Sequence, residues 1–149
     1  MENDTNVPLL LSAPGAKANG QECKALVEFV DIYPTLCELA GLPLPEQLEG
    51  TSMKPLLESP ARDWKAAAIS QYPRSFEGRQ LMGYSLRTER YRLTEWRDRK
   101  SGKPVTYELY DHETDPAENQ NLADRPEQAD LANKLAAQLA QGWKGARPR

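Results

Sequence analysis

The sequence has little of what marks a disulfide framework, a redox centre or a membrane protein. Its 149 residues include two cysteines, and neither belongs to a Cys-x-x-Cys pair, so we expect Cys23 and Cys37 to be buried or idle thiols. No apolar run reaches 18 residues, which predicts no membrane-spanning helix. The first residues show no charged segment followed by an apolar one, so no signal peptide is visible.

Strong charge of one sign is also missing. The net charge of −3 gives no basic field of the kind that binding to nucleic acid requires. Hydrophobic residues make up 39% of the chain, which at this length is enough for a real core. Twelve prolines against nine glycines favour many turns and short elements over long helices.

The beginning of the chain predicts two buried strands. Residues 7–12 (VPLLLS) are apolar throughout, which is typical of a strand buried on both faces. Such a strand needs neighbours on both sides, and only six residues precede it, so we expect the chain to begin inside a larger domain. Residues 25–30 (ALVEFV) predict a second short strand.

A helix is predicted next, over residues 32–40. The carboxylate of Asp31 can accept the unpaired N–H groups of a first helical turn, and Gly41 suits the left-handed stop. A further short helix is predicted to end at residue 57. The inner face of the first helix is predicted to hold Leu36, Leu39 and Ala40.

The clearest pattern lies in the second half of the chain. Residues 81–87 and 91–97 are strand-like, and the connector between them is short enough for a hairpin. Residues 105–111 (VTYELYD) predict another strand. Residues 66–72 (AAAISQY) contain alanines that suit a helix, but we assign them to a strand because of their Ile-Ser-Gln-Tyr ending and the proline that follows.

A final helix is predicted to be capped by Asp124, opened by Pro126 and ended by Gly142. Its leucines recur at helical spacing and would cover one face of the strands. The sequence therefore predicts an α+β fold, in which an antiparallel sheet of about four strands is packed by a C-terminal helix. The leucines in question are Leu131, Leu135 and Leu139.

Few residues suggest catalysis. His112 is the single histidine, and on a strand it points to the opposite face from the neighbouring acids Asp111 and Glu113, so the three do not converge on a metal. We interpret the segment around His112 as a solvated turn after a strand. A nucleophile–base pair that uses His112 has no Gly-x-Ser-x-Gly elbow to support it, and glycine-rich phosphate loops are absent from the sequence.

Arginine is the more informative residue, with six within 24 positions. Arg74 follows Ser-Gln-Tyr-Pro where a strand is predicted to end, and a guanidinium there suits a carboxylate or sulfate as well as it suits a structural role. For four of the others we expect a place on the wet face of the sheet or a pair with a nearby acid. These four are Arg87, Arg90, Arg92 and Arg97.

Four segments resemble motifs of the sulfatases, in the order found in that family, which belongs to the alkaline-phosphatase-like superfamily. Each motif alone is weak, but together they span nearly the whole chain. A further pair, residues 70–74 (SQYPR) and 82–88 (MGYSLRT), resembles the iduronate-2-sulfatase-like branch. The four segments are residues 7–15 (VPLLLSAPG), 30–42 (VDIYPTLCELAGL), 50–57 (GTSMKPLL) and 108–122 (ELYDHETDPAENQNL).

The resemblance implies the C-terminal portion of a sulfatase. Residues 1–60 would be a remnant of the N-terminal α/β domain, with two strands, a helix and a short helix, and residues 61–149 the C-terminal subdomain. The parent would hydrolyse the sulfate esters of a sulfated sugar with a formylglycine and a calcium ion. The formylglycine motif Cys-x-Pro-Ser-Arg and the metal-binding acids have no match here, so we expect no catalytic or metal residue in this chain.

The resemblance also places residues 71–74 at the border of the substrate cleft. Gln71, Tyr72 and Arg74 are therefore the predicted substrate-binding residues, and Arg79, in the short loop predicted over residues 75–80, is added as a substitute contact. The expected partners are the missing N-terminal catalytic half and a sulfated sugar, without nucleic acid or membrane. The parent is expected to be periplasmic or secreted.

Two alternatives remain open at this point. The chain would act as a stand-alone module that holds sulfated or uronic sugars through Arg74 and its neighbours, or as a purely structural piece. In the structural case, apolar edges left exposed by the missing half would favour self-association.

Overall fold

The computed structural model describes residues 5–148, which divide into two compact units. The sheet unit consists of Ala67–Ala146 together with Thr5 and Asn6, and the helical unit consists of Val7–Ala66 together with the last described residues. The predicted boundary between residues 60 and 61 lies close to this division. The assignment of the two parts to an α/β remnant and a C-terminal subdomain stays a prediction.

The sheet unit is built on four antiparallel strands joined in sequence order. The strands are β1 (Ala68–Phe76), β2 (Arg79–Arg87), β3 (Tyr91–Asp98) and β4 (Pro104–Asp111), with the spatial order β1-β2-β3-β4. The predicted four-stranded antiparallel sheet is confirmed, including the strand that alanine content made ambiguous.

Strand β1 runs further than predicted, and the loop expected over residues 75–80 is a tight hairpin. Only Glu77 and Gly78 connect β1 to β2, and both have positive φ, at 47° and 75°. Positive φ at both central residues is the geometry of the two-residue turn that matches strand twist. Pro73 is tolerated inside β1 because β1 is an edge strand, where a missing N–H breaks no bond to an outer neighbour.

Helix α3 (Ala129–Ala140) covers one face of the sheet. In the register, Leu86 lies opposite Leu93, and Leu93 opposite Leu109, and all three side chains are fully buried. Leu135 and Leu139 of α3 pack on them, which confirms the predicted helix and its inner leucines. We call this side of the sheet the core face.

The start of α3 differs from the prediction, while its end agrees. Pro126–Gln128 forms a 3-10 turn whose N-cap is Arg125, and the cap of α3 itself is Gln128. Asp124 lies outside both caps, so the predicted cap is wrong. Gly142 follows the helix at φ +60°, as expected of a left-handed stop.

The helical unit contains a 3-10 turn (Phe29–Asp31), helix α1 (Ile32–Leu39) and helix α2 (Lys54–Glu58). Residues 7–12 and 25–30, predicted as strands, are not paired into a sheet. The physical reason is that a strand is stabilised by hydrogen bonds to a neighbour, and none of the described residues pairs with either segment. Gly41, at φ +69°, ends α1 as predicted.

Helix α1 buries a different face from the predicted one. Pro34, Thr35 and Cys37 are buried, whereas Leu36 is 53% exposed. The hydroxyl of Thr35 explains this rotation, because it donates to the carbonyl oxygen of Asp31 and accepts the N–H of Met53 at 2.8 Å. This side of α1 is therefore held inward by hydrogen bonds. Of the other two residues predicted inside, Leu39 is half-buried and Ala40 is exposed.

Asp31 occupies the N-cap position of α1 as predicted, but its carboxylate accepts no N–H of that helix and lies at the centre of a buried charge cluster. Its carboxylate accepts the N–H of Glu28 at 2.9 Å and the N–H of Thr51 at 2.7 Å. Nζ of Lys65 donates to both Asp31 oxygens, at 2.7 and 2.8 Å, and to Glu28 at 2.6 Å. Asp31 is fully buried and the Lys65 side chain is 3% exposed, so the ammonium compensates charges that water cannot reach.

Gly50, in the loop between α1 and α2, allows that loop to approach this cluster. A Cβ on Gly50 would lie 1.9 Å from the carbonyl oxygen of Val30, so no other residue fits without moving the backbone. The close approach brings the amide of the next residue, Thr51, onto Asp31. Backbone packing and buried charge thus fix the same loop.

Replacing Lys65 tests the cluster. In Lys65→Met the carboxylates of Asp31 and Glu28 lose the ammonium while remaining buried, so we expect the free energy of unfolding of the helical unit to fall by about 3–5 kcal/mol. Urea unfolding, followed by hydrogen exchange at the Thr51 amide, measures it. Lys17→Met is the matched control, because Lys17 is 80% exposed and its pair with Glu58 should contribute no more than about 1 kcal/mol. Equal losses in the two variants would contradict the cluster's role.

Candidate functional site

The second face of the sheet gathers most of the predicted substrate-binding residues. Alternation along β1 puts Tyr72, Arg74 and Phe76 on one side, and the register sets Arg79 directly opposite Phe76. Gln71 pairs with Tyr84 and points to the core face instead. Three of the four predicted residues therefore share a face. Phe76 lies on the same face and was not predicted from the sequence. We call this side of the sheet the arginine face.

Arg74 is held between two aromatic rings. Its guanidinium carbon lies 5.2 Å from the ring centre of Phe76 and 5.3 Å from that of Trp96, within range for cation–π attraction. Nη1 is 3.9 Å from an Oε1 of Glu108, too long for a direct hydrogen bond. The Arg74 side chain remains 45% exposed, so a fixed cation faces solvent.

Gly83 makes room for the ring beneath Arg74. Gly83 lies opposite Tyr72 on one side and opposite Trp96 on the other. A Cβ on Gly83 would come within 2.9 Å of the Trp96 ring, so the indole can lie across β2 only because that residue is glycine. The buried indole, 3% exposed, then forms one wall of the Arg74 site.

Arg90 and Arg97 pair with nearby acids, as predicted, whereas Arg87 donates to the backbone. Arg90 donates Nε and Nη2 to the two carboxylate oxygens of Asp111, at 2.9 and 2.7 Å, and this fork holds the pKa of the Asp111 carboxyl below its usual range. Arg97 pairs with Glu95, and Arg87 donates to the backbone after β2. Arg90 and Arg97 also lie over aromatic rings, but each is paired directly with an acid, whereas the nearest acid to Arg74 is 3.9 Å away.

Arg92 and His112 meet at a buried glutamate. Arg92 is 1% exposed, with its Nε 3.1 Å from Oε1 of Glu118 and its Nη2 3.2 Å from the hydroxyl of Thr5. Nε2 of His112 lies 3.0 Å from the same Oε1 of Glu118. The segment after β4 is a largely exposed turn, as interpreted, but the His112 side chain within it is only 7% exposed. Glu118 has φ +58°, an unfavourable value for a non-glycine residue that these contacts hold in place.

Acidic side chains after β4 hold the turn through hydrogen bonds. Asp115 accepts the N–H of Gln120 at 2.8 Å and a side-chain N–H of Asn119 at 2.9 Å, contacts that lower the pKa of its carboxyl. Within residues 5–148 no group of three histidine, cysteine or acidic side chains is arranged to hold a metal ion. Both cysteines are free, Cys23 exposed and Cys37 buried.

The comparisons with known proteins identify the family. Residues 1–144 match the family described as N-sulphoglucosamine sulphohydrolase, C-terminal, so the chain belongs to the sulfatases as a C-terminal domain. Arylsulfatase K of Rattus norvegicus is 36% identical over 127 residues, covering 82% of this chain and 22% of that protein. The predicted sulfatase resemblance is confirmed.

Solved structures agree with this assignment. A 2-O GAG sulfatase superposes with a TM-score of 0.60 at 30% identity, over 74% of this chain and 23% of its own. The phosphonate monoester hydrolase of Agrobacterium radiobacter gives a TM-score of 0.69 at 24% identity, over 86% of this chain and 27% of its own, and this likeness concerns the fold alone. The chain spans about a quarter of the length of the proteins it matches. None of the helices within residues 5–148 combines the length and apolar character needed to cross a bilayer.

A tyrosine beside the buried glutamate gives a test of this part of the site. Burial, followed by the charges of Glu108, Glu118 and Asp115, raises the pKa of Tyr110 to about 12. An unfolded tyrosine ionises near pH 10, so the folded protein holds the proton longer and stability falls as pH rises from about 10 to about 12. In an ultraviolet titration, the tyrosine ionisation that occurs at the highest pH should be absent from Tyr110→Phe. If the same step disappears in Tyr33→Phe instead, the assignment is wrong.

Proposed function

We propose that this chain is the C-terminal part of a sulfatase that hydrolyses sulfate esters of a sulfated sugar. In this role it supports the fold and borders the substrate cleft, and it does not catalyse alone. The observation that carries the proposal is the exposed guanidinium of Arg74, held between Phe76 and Trp96 on a face that also presents Tyr72 and Arg79. A fixed guanidinium with exposed donors suits a sulfate or carboxylate.

The chemistry is proposed to reside in the catalytic part of the full enzyme. The resemblance implies a formylglycine and a calcium ion, which would supply the nucleophile and stabilise charge on the sulfate oxygens. The described residues do not fit either group. Neither cysteine is followed by Pro-Ser-Arg at the required spacing, and no cluster of ligands suited to a metal occurs in residues 5–148.

The proposed substrate is a uronate-containing sulfated sugar, as in the iduronate-2-sulfatase-like branch. Two segments suggest that branch, and the register supports treating them as one site. Residues 70–74 pair with residues 81–85, so that Pro73 lies opposite Met82 and Ser70 opposite Ser85. The 30% identity to a 2-O GAG sulfatase is consistent with this class of substrate.

The proposed partner is the catalytic part of the same enzyme, and the helical unit carries a surface suited to it. Phe29, Tyr33 and Leu36 follow one another at helical spacing and are 76%, 56% and 53% exposed. We call this surface the apolar stripe. An apolar stripe of this kind is characteristic of a helix that packs against another element. The parent enzyme is proposed to be periplasmic or secreted, as the resemblance implies.

A second function is favoured by the position of the arginine site. Tyr72, Arg74, Phe76 and Arg79 all belong to the sheet unit, so a binding role for them would not require the helical unit. A stand-alone module that binds sulfated sugar would use the same contacts. Self-association through the apolar stripe is the structural alternative, and a monodisperse monomer in small-angle scattering would count against it.

The chain alone is expected to be inactive. With a nitrophenyl sulfate or a sulfated disaccharide, and with calcium added, sulfate release should not exceed the rate without protein, because the nucleophile is proposed to belong to the catalytic part. Ion chromatography of released sulfate measures it. Turnover that rises in proportion to protein concentration would overturn the proposal of a non-catalytic role.

Binding of sulfated sugar is expected to depend on Arg74. Calorimetry with heparan sulfate fragments should detect binding that Arg74→Ala weakens at least tenfold, or about 1.4 kcal/mol. Arg74→Lys should recover only part of it, since the ammonium keeps the charge and loses the planar fork. Arg125→Ala is the matched control, because Arg125 is an exposed arginine away from this face. The absence of heat at millimolar fragment would remove the binding role.

A further inference from the structure

Resting on the proposed function above, we propose that the arginine face binds at least two consecutive rings of a sulfated oligosaccharide laid along β1. Tyr72 and Phe76 would be the stacking surfaces on either side, and Arg74 the anion contact between them. The ligand class is therefore a polymeric, acidic sugar rather than a single sulfated ring. The juxtaposition of two exposed aromatic rings with one fixed cation carries the inference.

The three side chains stand at alternate positions of one strand. Tyr72, Arg74 and Phe76 share a face, and at a rise of about 3.3 Å per residue the two aromatic positions are about 13 Å apart. That separation exceeds the width of one sugar ring. A ligand that contacts both aromatic rings and Arg74 together must therefore extend along the strand.

The side chains of Tyr72 and Phe76 are exposed to solvent, unlike those of core residues. Tyr72 is 52% exposed and Phe76 is 48% exposed, both on the edge strand of the sheet. The flat apolar faces of sugar rings pack on such rings, and covering them removes apolar surface from water at about 25 cal/mol per Å². Phe76 has no polar group, and the Arg74 guanidinium lies over its ring at 5.2 Å.

The charges on this face match a sulfated chain. Arg74 lies between the two aromatic positions, and Arg79 faces Phe76 across the hairpin, so two guanidinium groups lie along the same path. Glu108, 3.9 Å from Arg74 and 23% exposed, and Asp98, opposite Leu81 in the register, are acids on the same face. An anionic group would displace this loose pairing and form shorter charge-assisted hydrogen bonds with Arg74.

Ligand length provides the test. Calorimetry on the whole chain, with size-defined heparan sulfate disaccharide and tetrasaccharide, should show the tetrasaccharide bound at least tenfold more tightly. Phe76→Ala and Tyr72→Ala should each reduce that ratio to below about threefold, or 0.65 kcal/mol. Tyr33→Ala, which removes an exposed aromatic residue of the helical unit, is the matched control and should leave the ratio unchanged.

A second variant distinguishes loss of the aromatic ring from misfolding. Phe76→Leu keeps an apolar side chain on β1 but removes the flat ring, so it should retain the wild-type circular dichroism spectrum and still lose most of the length dependence. Equal affinity for disaccharide and tetrasaccharide, with both sensitive to Arg74→Ala, would overturn this inference and leave the proposed function intact. If neither sugar binds, the proposed sugar site and this inference fail together.

Discussion

The burial of one sheet face under α3 is the constraint on which the sheet unit depends. Leu86, Leu93 and Leu109 are cross-strand neighbours, and each is fully buried. Because side chains alternate along a strand, a register slip of one residue would turn these leucines to the opposite face and expose them to water. The same alternation determines which residues the other face presents. Core packing therefore fixes the position of Arg74, although Arg74 is not part of the core.

The helical unit is organised by charge as much as by apolar contact. Lys65, Asp31 and Glu28 form a buried group whose hydrogen bonds also hold the amide of Thr51. Such a cluster is costly to desolvate, and removing one partner leaves a charge that water cannot reach. The stability of this unit therefore rests on few residues, while its apolar stripe remains uncovered.

Fold and substrate are separate questions for this family. The fold is shared with a phosphonate monoester hydrolase at 24% identity and with a 2-O GAG sulfatase at 30% identity. Since a fold does not by itself determine a substrate, specificity has to come from side chains on accessible faces. Under the proposed function, the guanidinium of Arg74 would contribute to it. Its environment depends on Gly83, which lets the Trp96 ring lie across β2.

Local pattern in the sequence was enough to predict the meander, the C-terminal helix with its leucines, and Arg74 as a candidate contact. These features depend on periodicity and on turn residues, which act within a few positions of the chain. Only the tertiary structure separated Gln71 from Arg74, buried His112 against Glu118, and turned Leu36 outward. Each of these outcomes depends on a partner that the local sequence does not specify. The continuation of β1 past Arg74 puts Gln71 and Arg74 on opposite faces, a glutamate in a strained turn holds His112, and a threonine hydroxyl fixes the rotation of α1.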